Sequence, residues 1–144
     1  MAISYTIEGL DGLLSRLDNL GASAGSALEK GLLRGGEIVR AEAAANCPVD
    51  TGRLRSSIVV QSDGDSVTIG PTVDYGIYVE FGTGSKGDPS VAHTTKGGWV
   101  YFNEKTGSFV YTTGQAPQPF LVPALYSQKD AVVEAIKAGL LEAF

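Results

Sequence analysis

The hydrophobic period of the chain changes at Pro48, and that change limits the fold class. Before it, Leu28, Leu32, Val39 and Ala43 recur at helical spacing, while Glu29, Lys30, Arg34 and Glu37 lie largely on other faces. Ser23 is placed to cap this helix and Pro48 to stop it. After Pro48 the chain turns through Gly52, and Leu54–Gln61 and Ser66–Gly70 are β-rich. The Ser62-Asp63-Gly64-Asp65 step between them predicts a hairpin. Tyr75, Ile77, Val79 and Phe81 alternate with Gly76, Tyr78 and Glu80, which predicts a third strand of an antiparallel meander. A long helix followed by an antiparallel sheet is an α+β arrangement.

The remaining segments extend the same plan. Ile3, Tyr5 and Ile7 alternate as a short strand, and Leu10, Leu13, Leu14, Leu17 and Leu20 follow as a short amphipathic helix stopped at Gly21. Trp99–Phe102 and Ser108–Thr112 predict a second hairpin around residues 103–107, with Trp99, Tyr101, Phe109 and Tyr111 available for cross-strand packing. A last helix is expected from about Phe120 to Ala143, where Leu121, Leu125, Val132, Ile136 and Leu140 share a face and Pro123 fits only the first turn. The expectation is one domain over residues 1–144: an antiparallel sheet, meander plus hairpin, packed against the long helix and the C-terminal helix. Residues 82–98 are expected as a glycine-rich flexible arm and 99–113 as a hairpin extension.

Nineteen glycines in 144 residues is nearly twice average usage, ~7%. They fall into three groups. Gly31, Gly35 and Gly36 interrupt a helix and suggest close packing there; Gly52, Gly64, Gly70 and Gly107 serve turns; Gly82, Gly84, Gly87, Gly97 and Gly98 concentrate in the expected arm.

Composition removes most chemistry. One cysteine and one histidine exclude an internal disulfide framework and a multi-cysteine zinc site. A net charge of −5 argues against a general phosphate-binding surface. Gly82–Gly87 matches G-x-G-x-x-G, but Asp88-Pro89 stands where the phosphate-binding helix would open. Asp50-Thr51-Gly52 is the aspartic-protease triplet in a single copy, and a structural turn accounts for it. Cys47 and His93 have no nucleophile signature around them, and Asp63 and Asp65 are too few for a calcium loop. No catalytic residue, cofactor or metal is expected. Arg53 and Arg55 would project from one face of an extended segment, either as a charged strand edge or as an ion-pair site to Glu80 or Asp74 of a neighbouring subunit. No apolar run reaches the ~20 residues of a bilayer span and Met1–Tyr5 lacks a signal-peptide pattern, so a soluble cytoplasmic chain is expected.

Three ordered segments carry a resemblance. Cys47-Pro48-Val49-Asp50-Thr51-Gly52-Arg53-Leu54-Arg55-Ser56-Ser57-Ile58, Tyr75-Gly76-Ile77-Tyr78-Val79-Glu80-Phe81-Gly82-Thr83-Gly84 and Gln118-Pro119-Phe120-Leu121-Val122-Pro123-Ala124-Leu125 resemble the tail-component family of long-tailed bacteriophages and prophages. Its members are variously called tail-completion, neck or minor tail proteins, protein Z of phage lambda among them. The resemblance implies a structural role at the head–tail connection, in a homo-oligomeric ring, hexameric, that lets DNA through as passing cargo. It implies partners on both sides, a head-side connector or stopper and a tail-terminator or tail-tube protein. It also implies a place in the virion after assembly in the host cytoplasm, away from any membrane. Asp50, Thr51, Gly52, Arg53, Leu54, Arg55, Tyr75, Tyr78, Glu80, Phe81, Gly82, Trp99, Pro119 and Phe120 are the interface or structural motif positions it marks. The competing expectations are a small protease-like or thiol hydrolase centred on Asp50 or Cys47, and a monomeric module binding a host protein through the 82–98 loop.

Overall fold

The computed structural model of the chain describes residues 3–4, 12, 15, 22–91 and 97–142. The short helix expected over Leu10–Leu20 lies almost wholly outside the described residues, as does His93. The chain forms two compact units, Met1–Val73 with Phe120–Phe144, and Asp74–Pro119.

The first unit is organised by helix α1, Ala22–Asn46. Ser23 lies within it rather than ahead of it. Leu28, Leu32, Val39 and Ala43, the residues with helical spacing, are all buried, together with Ala27 and Cys47. They pack against a sheet on one side and the C-terminal helices on another. A single helical turn α2, Arg53–Ser56, leads into β2, Ile58–Ser62, which pairs antiparallel with β3, Val67–Pro71, in the register Val60↔Ile69 and Ser62↔Val67. The predicted Asp-Gly turn joins them: Asp63 Oδ1 accepts from Ser66 N at 2.9 Å and Ser66 Oγ at 2.7 Å. Both short bonds hold the ionised carboxylate and keep the Asp63 carboxyl below its ordinary range.

Two expectations for this sheet need correction. Its third strand is β1, Ile3–Ser4, which pairs with β3 through Ile3↔Ile69, so the order is β1-β3-β2 and the 75–81 segment takes no part. Leu54–Ser56 is helical instead of extended, because Gly52 in the left-handed region (φ 81°) turns the chain and Ser56 N and Ser57 N then bond back to the Gly52 and Arg53 carbonyls. Arg53 and Arg55 are therefore about 200° apart around a helical turn, on either side of buried Leu54, and do not form a charged strand edge.

The C-terminal segment is also divided. The predicted single helix is two, α4 over Val122–Ser127 and α5 over Lys129–Leu141, with Gln128 between them out of helical conformation (φ −102°, ψ 8°). Ser127 Oγ donates to the Ala124 carbonyl at 3.3 Å, the back-bonding that bends helices. Phe120, Leu121, Ala124, Val132 and Ile136 complete the core. Where α1 crosses α5, Gly31 and Gly139 face one another so closely that a Cβ on Gly139 would lie 2.7 Å from the Gly31 Cα. The close packing expected of Gly31 is thus between two helix backbones, and that of Gly36 is against Val60 and Val67 of the sheet.

Arg34 on α1 clasps Glu142 just beyond α5, with Nη1–Oε1 2.8 Å and Nη2–Oε2 3.0 Å. These hydrogen bonds, then the guanidinium charge, hold the Glu142 carboxyl below its ordinary range. A depressed folded pKa adds stability that is complete above the unfolded value, ~4.3, and disappears as pH falls through the folded value. The melting temperature is expected to decline as pH drops below that value, and Glu142→Gln should remove part of the decline; a Glu142→Gln melting curve parallel to wild type through acid would contradict it.

The second unit begins with another correction. Tyr75–Phe81, predicted as a strand, contains helix α3, Gly76–Phe81. Tyr78 N and Val79 N both donate to the Tyr75 carbonyl, and the buried positions are Gly76 and Glu80, four apart, not an alternating set. Seven residues are too few for period alone to separate strand from helix. Gly82 ends α3 with φ 74°, and β4, Thr83–Gly84, then pairs with β7, Gly114–Gln115. The second hairpin forms where expected, β5 over Trp99–Asn103 and β6 over Ser108–Thr112.

Candidate functional site

The motif positions separate into those that build the fold and those left on its surface. At the end of α1 the chain passes buried Cys47 and reaches a turn in which Thr51 Oγ1 accepts from Arg53 N at 3.3 Å and Gly52 supplies the left-handed residue. Leu54 anchors the turn in the core. Asp50, Thr51, Arg53 and Arg55 stay exposed, and Val49 beside them is 54% exposed. A proton-sharing carboxylate needs burial and a second carboxylate. Asp50 is an exposed turn residue, so the surroundings of the triplet are those of a turn.

Phe120 is wholly buried, and Pro123 occupies the first turn of α4, so the Pro-Phe-Leu-x-Pro-Ala segment sets the start of the C-terminal helices. In the other unit Phe81 O accepts from Asp88 N at 2.8 Å and Gln118 N donates to Val79 O at 2.8 Å. These bonds fix the C-terminal turn of α3. Gly82 sits where a Cβ would meet the Gln115 carbonyl at 2.5 Å and the Pro117 nitrogen at 2.9 Å, which excludes any side chain there. This accounts for the Phe-Gly-Thr-Gly run: its glycines let β4 and β7 pair at close range, and after Gly87 the chain enters an Asp88–Ser90 turn (Ser90 N to Asp88 Oδ1, 2.9 Å) rather than a helix. Glu80 is 2% exposed, whereas Tyr75, the N-cap of α3, and Tyr78 within it are exposed at 39% and 45%.

The hairpin register holds what the sequence reading missed. Val100 pairs with Tyr111 and Phe102 with Phe109, so these four share one face, while Trp99 and Tyr101 lie on the other with Thr112 and Val110. The four aromatics expected to pack together are split between faces. Phe102 and Phe109 meet edge to face with centroids 5.3 Å apart. The other face borders an open depression of about 660 Å³ lined by Thr83, Lys86, Trp99, Tyr101, Thr112 and Gln115. Strict alternation across the five-residue tip would have revealed the two faces; only the structure shows that the Val100 face is uncovered.

Among the described residues no group of three or more His, Cys, Asp or Glu side chains is placed to hold a metal, and no helix is long and apolar enough to cross a membrane. The family model described as "Bacteriophage HK97-gp10, putative tail-component" matches residues 11–82, half of the chain. The chain belongs to this HK97-gp10-like family of phage tail components. No curated protein and no solved structure matches it.

The match places α1, the Asp50–Gly52 turn, the β2–β3 hairpin and α3 of this tail component inside the family's shared segment, ending at Gly82. The β5–β6 hairpin and the Pro119–Ala124 segment lie beyond it. The thiol of this tail component is buried at the end of α1, with Sγ 3.5 Å from the Pro48 carbonyl. It behaves as a small apolar group. Cys47→Ala is expected to cost about 1 kcal/mol and leave infectivity unchanged. Lost infectivity in a Cys47→Ala phage with normal protein yield would restore the thiol-enzyme reading.

Proposed function

We propose that this tail component is a structural protein of the head–tail connection. It acts as a homo-oligomeric ring, hexameric, through which DNA passes, and it meets a head-side connector or stopper on one side and a tail-terminator or tail-tube protein on the other. The observation that carries this reading is membership of the tail-component family over residues 11–82. No catalytic step is part of it. Two surface features support an assembly role. Asp50, Arg53 and Arg55 are exposed on a turn that Leu54 anchors in the core. Tyr75 and Tyr78 are exposed on one side of α3, and tyrosines so placed favour protein–protein contact. In a ring with heterologous contacts, Arg53 and Arg55 of one copy would pair with acids of the next. Asp74 is exposed and suited to this, while Glu80 is buried.

A phage deleted for this gene tests the proposal by electron microscopy of the lysate. Filled heads accumulating beside complete, unattached tails is the expected result. Normal virions, or heads with no tails of full length, would contradict it.

A further inference from the structure

We infer that the Val100–Phe102–Phe109–Tyr111 face of the β5–β6 hairpin is a docking surface for a second copy of this chain; the inference rests on the self-assembly proposed above. The four side chains are 60%, 51%, 76% and 67% exposed. With large apolar side chains presenting roughly 150–250 Å² each, the face leaves on the order of 500 Å² of mostly apolar surface open. A patch of that size is about the largest that a typical monomer exposes, and such patches are often functional. Among the described residues the hairpin is a two-stranded sheet of its own. Such a ribbon is marginal in water until something covers it. Its strands also lack the usual protection against edge pairing, since neither Trp99–Asn103 nor Ser108–Thr112 contains a charged residue or a proline.

Charge selects the occupant. The chain carries −5 overall, so most of its surfaces would bring like charges together when two copies meet. The hairpin face carries none, and its tip has one acid and one base, Glu104 and Lys105. It is therefore a place where two acidic copies can touch without bringing like charges into contact. A basic partner would instead be drawn to the acidic surfaces, and an anionic lipid surface would call for lysines and arginines beside the aromatics. Meeting a comparable patch, the face would bury about 1,000 Å² in total, the size at which a specific interface begins.

Photo-crosslinking tests this with the full chain, both purified and in assembled particles. Phe109→p-benzoylphenylalanine should give an adduct at twice the 15.0 kDa chain mass, mapped to a second copy, and Glu134→p-benzoylphenylalanine on exposed α5 should give none. An adduct from position 109 to a different protein or to lipid, or no adduct at all, overturns the inference. Counting copies per particle by quantitative mass spectrometry keeps the two proposals apart. Several copies with no self-adduct at 109 leaves the ring standing and removes the hairpin from it, whereas one copy per particle removes the ring itself.

Discussion

Gly139→Val is expected to destabilise the chain by about 3 kcal/mol, read as a drop in the urea midpoint with little change in slope. In an ordinary helix interior the replacement of glycine by a residue with a side chain is favourable, and glycine to alanine gains up to ~1 kcal/mol. At Gly139 the gain is overwhelmed. A Cβ there would lie 2.7 Å from the Gly31 Cα, 2.8 Å from the Gly31 nitrogen and 3.0 Å from the Ala27 carbonyl. All three atoms are backbone, so no side chain can rotate away and the helices must separate. Separation would open the layer formed by Leu28, Leu32, Val132 and Ile136 on both helices. Gly25, exposed on the same helix α1, has nothing within 4 Å of its Cβ position, and Gly25→Ala should stabilise the chain by up to ~1 kcal/mol. If both substitutions shifted stability in the same direction, the close crossing of α1 and α5 would not be what holds this unit together.

Phe120→Ala is expected to cost about 3–5 kcal/mol, the range for removing a buried aromatic ring. Phe120 has no exposed surface and is the largest of the wholly buried side chains. It begins the segment that returns to the first unit to form α4 and α5, so the cavity would open where that segment enters the core. A domain of this size has only ~5–15 kcal/mol of stability, so the variant should melt far below wild type or be recovered largely unfolded. Phe120→Leu keeps most of the volume and should lose much less. A Phe120→Ala protein melting within a few degrees of wild type would show that the ring contributes little to the core.

Where the sequence was legible, the signal was long or chemically specific. Helix α1 extends over seven turns, and Leu28, Leu32, Val39 and Ala43, the residues that define its period, are the ones buried. The two hairpins were legible from an Asp-Gly step and from alternation on either side of a polar tip. What escaped was short or depended on distant residues. Tyr75–Phe81 alternates like a strand, yet it is two helical turns ended by Gly82, which cannot carry a side chain because Gln115 and Pro117 pass beside it. Nothing near Gly82 in sequence reports that close approach. Arg53–Ser56 is one turn of helix set by the backbone angle of Gly52, too short to have a period. The break at Gln128 is a single residue beside a Ser127 back-bond, and hydrophobic spacing continues through it from Leu125 to Val132. Of the motif positions, Gly52, Leu54, Gly82 and Phe120 are explained by the fold, and Asp50, Arg53, Arg55, Tyr75 and Tyr78 are exposed. The exposed hairpin face was implicit in alternation, but alternation does not say which side of a strand is covered.

Cryo-electron microscopy of the virion, with this tail component identified in the density or by a fused label, is the most direct test of the central claim. The account predicts a closed ring of identical copies at the junction of head and tail, with DNA or its channel on the axis. Density for the protein at the distal tip of the tail, a single copy at the junction, or a mature virion that lacks the protein would contradict it.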